Sequence, residues 1–190
     1  ASGSESDDLA GASRIASLVY FYRNDLQELI ASARAQTAFT HNNPPVIQSA
    51  VFFASIAHQI LAGTSPLVAI EQAQKDEFHS DPFNEWIQMG LESTEQDSRQ
   101  TILDLGQMCE IPAAFPGVIH LIAKYENDLK AALVENVMAG GDSAGRGLLV
   151  GLVLGAHLGM EAIPLEWLDD MRAYPQIFDI LTKIDKSHGF

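Results

Sequence analysis

Cysteine is almost absent from this sequence, since Cys109 is the single one in 190 residues. An intramolecular disulfide is therefore impossible, and a zinc site with cysteine ligands is not expected. Positive charge is also scarce, with 11 lysine and arginine residues against 25 aspartate and glutamate and a net charge of −14. This balance argues against general electrostatic binding to nucleic acid or to an anionic membrane. It does not exclude one phosphate-bearing small ligand held by local groups.

Long hydrophobic runs are missing as well. The apolar run from Gly147 to Met160 is shorter than the roughly 20 residues that span a bilayer, and it contains His157. The opening residues ASGSESDD carry no signal-peptide pattern and predict a flexible acidic tail over 1–8. Because 47% of the residues are hydrophobic, the remainder can bury a core. We expect one soluble, cytoplasmic domain over 9–190.

Helical patterns run along almost the whole chain. Asn24 and Gln27 resemble a capping box before the first long helix, and Pro44 opens a second one that ends near Gly63. GVIHLIAKY is the one segment that could form a strand, and it lacks a hairpin partner. The pattern predicts a compact all-α multi-helix bundle, with further helices from residue 66 and over 82–91, 94–109, 115–124, 126–138, 143–159, 164–171 and 175–185.

One predicted helix contains an unusual number of glycines. In AGGDSAGRGLLVGLVLGAHLGM, residues 139–160, they recur every fourth position at 147, 151, 155 and 159. Each costs roughly 1 kcal/mol of helix stability relative to alanine. Residues four apart share a face, so neighbouring helices could approach this face backbone to backbone. We therefore expect the glycine face to be buried, and a leucine at Gly151 or Gly155 to destabilise the fold.

An aspartate begins the same helix. Asp142 follows Gly140 and Gly141, at the position where an N-cap belongs. Its carboxylate could cap the helix and complement the helix dipole, bind a metal ion, or pair with Arg146 about one turn further on. These three interpretations remain open from the residues alone. The histidines show no metal-ligand spacing relative to one another, and no Ser-His-Asp order or P-loop is visible.

Four short motifs follow one another from about Leu9 to Trp167: AGASRIASLVYFY, TAFTHNNPPVIQSAVFFA, CEIPAAFPGVIHLIAKYENDLKAALVENVMAGGDSAGRG and GMEAIPLEW. Their order and spacing resemble the C-terminal half of the ADP-ribosylglycohydrolase family, and most of all its J-type crystallin-like branch. The resemblance implies a compact all-α fold. It also implies two magnesium or manganese ions held between two acidic motifs, where water cleaves a glycosidic bond of ADP-ribose.

The resemblance assigns candidate residues one by one. Gly140-Gly141-Asp142 matches the start of the family motif Gly-Gly-Asp-x-Asp-Thr, but Ala144 and Gly145 stand where its second Asp and its Thr belong. The segment 11–14 resembles the phosphate-binding segment, with Ser13 in place of the usual methionine, and Thr40-His41 matches a Thr-His pair. Arg14 could equally be a surface arginine and His41 a turn histidine. The candidate ligand-binding residues are Gly11, Ser13, Arg14, His41, Asp142, Ser143 and Arg146, and Asp142 is also the candidate metal ligand.

The departures from the family pattern lead to further expectations. Loss of a carboxylate and a hydroxyl removes two of the oxygen ligands that magnesium needs. We hypothesise that Arg146 folds back on Asp142 and neutralises it, so no cofactor is expected; magnesium or manganese is implied by the resemblance alone. Three functions stay open: a hydrolase completed by a separate N-terminal segment, a metal-free module that binds ADP-ribose, and a catalytically silent structural protein.

The first acidic motif of the family is absent from the sequence. A chain that corresponds to the C-terminal portion of the family domain should expose the apolar faces that would pack against the rest. We expect these faces on the helices over 143–159 and 46–62. We therefore expect a homodimer, or a complex with a complementary N-terminal chain.

Overall fold

The computed structural model describes residues 3–188, and these residues form eleven α-helices, two short 3-10 helices and no strand. The predicted all-α architecture is confirmed. In chain order the elements are η1 (Leu9–Gly11), α1 (Ala16–Phe21), α2 (Leu26–Thr40), α3 (Pro44–Leu61), α4 (Pro66–Asp76), α5 (Phe83–Glu92), α6 (Ser98–Leu105), α7 (Ile111–Lys124), α8 (Leu129–Met138), α9 (Ser143–Leu158), η2 (Met160–Ala162), α10 (Leu165–Asp170) and α11 (Tyr174–His188).

Aromatic side chains form the centre of the bundle, where α3, α5 and α7 meet. The ring of Phe115 lies 5.2 Å from those of Phe52 and Phe53, 5.4 Å from that of Phe83 and 5.9 Å from that of Trp86, measured between centroids. Such tilted and edge-on pairs are favourable beyond the area they bury. The cluster makes α3 and α7 the core helices.

The buried position of α3 corrects one expectation. Its length and composition would allow it to cross a membrane, but its apolar residues are mostly buried in the bundle, as in the core helix of a soluble protein. Among its large apolar side chains in the described structure, Leu61 at the C-terminal end is the exposed one, at 44%. The predicted exposed face over 46–62 is therefore wrong.

Helices α5 and α7 pack closely against each other at Gly90. A Cβ atom on Gly90 would collide with the Ile119 side chain and with the carbonyl oxygen of Pro116.

Helix α7 begins at Ile111, earlier than the predicted residue 115, and includes Pro116 in its interior. Burial of Ile111 and Phe115 outweighs the hydrogen bond that the proline cannot donate. GVIHLIAKY accordingly belongs to this helix.

The glycine face of α9 is open, which corrects the second expectation about packing. Cβ atoms on Gly151 and Gly155 would meet nothing within 4 Å among the described residues. The other side of the helix packs against the core through its buried residues Leu149, Val150, Val153 and Leu154. Leu148 is 52% exposed and is the one exposed large apolar side chain of α9 among the described residues, so the structure shows a single exposed leucine and not the extended apolar face that is predicted over 143–159. A leucine at Gly151 or Gly155 would enter open space, contrary to the predicted clash.

Residues 3–8 are hydrogen-bonded to the bundle, whereas a flexible tail is predicted over 1–8, of which residues 1 and 2 lie outside the described residues. The Ser4 N–H donates to the Thr40 carbonyl at 2.9 Å, and the Asn42 N–H donates to the Ser4 carbonyl at 2.7 Å. At the other end, the Ile111 N–H donates to the Asp7 carbonyl at 3.0 Å. The segment is thus a strap between the α2–α3 turn and the α6–α7 turn.

Local capping differs from the sequence prediction at α2. Asp25, not Asn24, is the N-cap of this helix, and its carboxylate accepts the Glu28 N–H at 3.1 Å. Helix α3 begins at Pro44 as predicted, and Asn43 is its N-cap. Helix α6 covers only Ser98–Leu105, a shorter stretch than the predicted 94–109.

Candidate functional site

Three segments that are far apart in the sequence meet around η1. Gly11 lies under the imidazole of His41, so closely that a Cβ atom on Gly11 would collide with the ring. Arg14 Nη2 donates to Thr40 Oγ1 at 2.5 Å. On the other side of η1, a Cβ atom on Gly145 would lie 3.6 Å from the Cβ of Ala10. The fold therefore brings the 11–14 segment, the Thr40-His41 pair and the start of α9 together.

The predicted ligand-binding residues divide into accessible and buried ones. Arg14 is exposed, and His41, Asp142 and Ser143 are half-buried. Gly11, Ser13 and Arg146 are buried, and the Ser13 hydroxyl donates to the Ala10 carbonyl at 3.0 Å. These three residues therefore contribute to the packing that holds the segments together, and their contact with a ligand stays a prediction.

The glycine pair before α9 creates a tight turn that positions Asp142. Gly140 and Gly141 have φ values of +73° and +63°, a region that favours glycine. A Cβ atom on Gly141 would collide with the backbone of Gln107, whose carbonyl accepts the Asp142 N–H at 2.9 Å. Asp142 Oδ1 in turn accepts the Gly145 N–H at 3.2 Å. The predicted N-cap is therefore confirmed.

Arg146 has other partners than the predicted one. Its side chain is 1% exposed, and it donates from Nε to Asn136 Oδ1 at 3.2 Å and from Nη2 to the Gly140 carbonyl at 2.5 Å. No ion pair within 4.0 Å joins it to Asp142 in the described residues. The predicted direct pair is wrong because the guanidinium is directed towards α8 and the glycine turn.

Two residues that sequence reasoning missed hold this arrangement in place. Asn136 is buried on α8, where its Nδ2 donates to the Ser143 carbonyl at 2.8 Å while its Oδ1 accepts from Arg146. Gln107 binds the glycine turn from the α6–α7 loop through its carbonyl and through Nε2, which donates to the Ala139 carbonyl at 2.5 Å. Gln107 lies outside the quoted motifs, and Asn136 lies inside the third one without an assigned role, so only the tertiary contacts reveal what the two residues do.

Charge at the turn is only partly compensated by hydrogen bonds. Asp142 Oδ2 and Arg146 Nη1 are both buried and have no hydrogen-bond partner within residues 3–188. Burial lowers the pKa of the Arg146 guanidinium, and the negative charge of Asp142 acts in the opposite direction. The carboxylate therefore acts on the guanidinium without a direct contact.

The residues at the turn do not fit a magnesium or manganese ion. Such ions take several oxygen ligands in near-octahedral geometry. Ala144 and Gly145 offer no side-chain oxygen, and a permanently charged guanidinium lies in the same cluster. Within residues 3–188, no three His, Cys, Asp or Glu side chains are grouped so that they could hold a metal.

A second buried polar cluster lies between α5, α6 and α7. His120 Nδ1 lies 2.8 Å from Ser93 Oγ, and its Nε2 lies 2.9 Å from Ser98 Oγ, which is 3.0 Å from the Tyr125 hydroxyl. Burial lowers the pKa of His120 to about 4, so the ring is neutral at pH 7.

Two surface clefts of about 350 and 330 Å³ lie near these helices and contain none of the predicted ligand-binding residues.

Comparison with known proteins agrees with this geometry. The sequence profile of the ADP-ribosylglycohydrolase family matches residues 1–188. The chain is similar to Crystallin J1A of Tripedalia cystophora, with 28% identity over 133 residues. The aligned region covers 68% of this chain and 39% of that relative, so the chain spans about two fifths of its length. Because the family profile covers nearly the whole sequence, the chain belongs to the ADP-ribosylglycohydrolase family.

Proposed function

We propose that this chain binds an ADP-ribose-type ligand at the surface around η1. The observation that supports the proposal is the meeting of Arg14, the Thr40-His41 pair and the glycine turn of Asp142 around one short 3-10 helix. In the sequence these groups are separated by up to about 130 residues. Their assembly, together with family membership, favours a nucleoside diphosphate ribose over other small ligands.

The accessible groups have the chemistry that such a ligand needs. A guanidinium has five N–H donors and pairs with phosphate, and Arg14 uses one of its nitrogens on Thr40. His41 contacts Thr40 through Nδ1 at 3.0 Å, which leaves Nε2 to contact a ligand. With a net charge of −14, the rest of the chain does not attract phosphates in general. Binding would therefore be local and specific.

Hydrolysis of a glycosidic bond demands more than the described residues supply. The one carboxylate of the glycine turn, Asp142, already caps α9 through Oδ1. The reaction needs a group that activates water beside the scissile bond. We therefore propose ligand binding for this chain, and hydrolysis only together with residues from elsewhere in a longer protein.

A catalytically silent structural role is the alternative. It is favoured by the degenerate motif at Ala144 and Gly145 and by similarity to a protein named crystallin. The two functions differ in one measurable property. A binding module is stabilised by the nucleotide, whereas a structural protein is indifferent to it.

Isothermal titration with ADP-ribose, ADP and ribose 5-phosphate tests the proposal. We expect wild-type protein to bind ADP-ribose and Arg14→Gln to bind it about tenfold or more weakly, the value of one charge-assisted hydrogen bond. Arg172→Gln removes an exposed arginine of α10–α11 and is the matched control, with unchanged affinity expected. Absence of heat and of thermal stabilisation with all three compounds at millimolar concentration would favour the structural role.

A further inference from the structure

A half-buried carboxylate and a buried guanidinium lie at the start of α9, and one atom of each has no hydrogen-bond partner among the described residues. Asp142 uses Oδ1 to cap the helix, and Arg146 uses Nε and Nη2 on Asn136 and Gly140. Asp142 Oδ2 and Arg146 Nη1 remain buried without a hydrogen-bond partner. A buried charge is costly unless a charge of opposite sign or several hydrogen bonds compensate it. The negative charge of Asp142 offsets part of the cost of burying the Arg146 guanidinium.

The surrounding helices are shaped to hold the arginine. On α7, Gly117 faces the aliphatic stem of Arg146, and a Cβ atom there would lie 3.4 Å from its Cδ. On α8, Asn136 accepts from Nε and is itself 1% exposed. The guanidinium is therefore a fixed part of the fold and not a mobile surface group.

We infer that Arg146 is the resident cation of the Asp142 turn: its guanidinium neutralises the carboxylate inside the fold, and the turn does not take up Mg²⁺ or Mn²⁺. The negative charge of Asp142 acts on the guanidinium through space, since no ion pair within 4.0 Å joins the two side chains among the described residues. A divalent ion would be repelled by the guanidinium and would find a single carboxylate where it needs several oxygen ligands. This inference is independent of nucleotide binding, because it concerns the charge balance of the unliganded chain.

The aspartate caps of α8 and α9 can be compared through the melting temperatures of matched variants, measured in buffer that contains EDTA. Asp128 caps α8 as Asp142 caps α9, with its carboxylate accepting the Ala131 N–H at 2.8 Å, but it is not accompanied by a buried arginine. Asparagine caps about as well as aspartate, so Asp128→Asn should lower the melting temperature by less than about 2 °C. Asp142→Asn should lower it by about 4 °C or more, because Arg146 loses its counter-charge. Equal shifts in the two variants would overturn the inference.

A metal titration of the wild-type protein tests whether the turn takes up Mg²⁺ or Mn²⁺. This measurement does not depend on whether a variant folds. We expect the melting temperature of the wild-type protein to be the same within about one degree in EDTA, MgCl₂ and MnCl₂. Electron paramagnetic resonance should show only the weak Mn²⁺ binding of an acidic surface, equal in wild type and Asp142→Asn. Saturable Mn²⁺ binding that Asp142→Asn abolishes and Asp128→Asn retains would contradict the inference.

Discussion

Two buried polar clusters differ in how completely the protein satisfies them. Around His120, both ring nitrogens have hydroxyl partners, and the chain of contacts ends at Tyr125. Around Asp142 and Arg146, one atom of each charged group has no protein partner. A cluster of neutral groups whose hydrogen bonds are complete contributes to the stability of the fold. Charged groups that lack some of their hydrogen bonds occur most often at functional sites. This difference separates a structural histidine from a candidate functional site. Four experiments test it.

The largest expected effect is that of removing the buried arginine. Arg146→Met should lower the free energy of unfolding by about 3–5 kcal/mol, because it leaves Asn136 Oδ1 and the Gly140 carbonyl without their donor and the half-buried Asp142 carboxylate without a nearby cation. Arg99→Met is the matched control, since Arg99 makes a two-fold hydrogen bond with Glu135 at 2.8 and 2.9 Å on the surface. Its loss should have a much smaller effect. Equal urea midpoints for the two variants would show that Arg146 contributes no more than a surface arginine.

Acidification should destabilise the His120 cluster. The folded-state pKa of about 4 lies below the value of about 6.5 in the unfolded chain, so only the unfolded state binds this proton between those values. The contribution is complete above about pH 6.5 and falls by roughly 3 kcal/mol as the pH approaches 4. Urea unfolding of wild type and His120→Gln at pH 7, 5.5 and 4 measures it. The variant should lose less stability on acidification, and identical pH dependence would refute this cause.

The helices that carry the two clusters should respond in opposite ways to one added methyl group. Gly90, whose carbonyl accepts from Ser93 Oγ of the His120 cluster, is tightly packed against α7. Gly90→Ala should therefore cost about 1–3 kcal/mol. Gly151→Ala on α9 enters open space and should stabilise the isolated chain by up to about 1 kcal/mol. Calorimetric melting of both variants tests this, and destabilisation by Gly151→Ala would mean that the glycine face is covered in solution.

The smallest expected effect is at the end of the His120 cluster. Tyr125→Phe removes the hydroxyl that contacts Ser98 Oγ at 3.0 Å, while the contact of Ser98 with His120 remains. The cost should be about 0.5–1.5 kcal/mol, the net value of one hydrogen bond. A loss as large as that of Arg146→Met in the same urea series would show that the cluster depends on its outer member.

Local rules predicted the elements of this fold, and they failed where long-range packing decides. The cap by Asp142 depends on residues within one turn, and it is confirmed. The start of α7 was placed too late because Pro116 is a local helix breaker, whereas burial of Ile111 and Phe115 extends the helix through it. The strap over residues 3–8 was missed because its hydrogen bonds join it to distant turns, one of which follows α2.

The residues of the candidate site can be predicted from the sequence, but the contacts between their side chains cannot. The motifs that pointed to Arg14, His41 and Asp142 do converge around η1. Arg146 was expected to contact Asp142 because the two are four residues apart, yet it reaches Asn136. Asn136 lies on another helix, and no spacing in the sequence relates it to the glycine turn.

The all-α architecture, the glycine turn before α9 and the cap by Asp142 can be predicted from local sequence. These features depend on interactions within a few residues, which composition and spacing express directly. The buried side of α9, the direction of the Arg146 guanidinium and the neutral state of the His120 ring follow from the packing of the helices. Each of these depends on side chains from other helices, and the free energy of burying a group is set by what surrounds it and not by its neighbours in the chain.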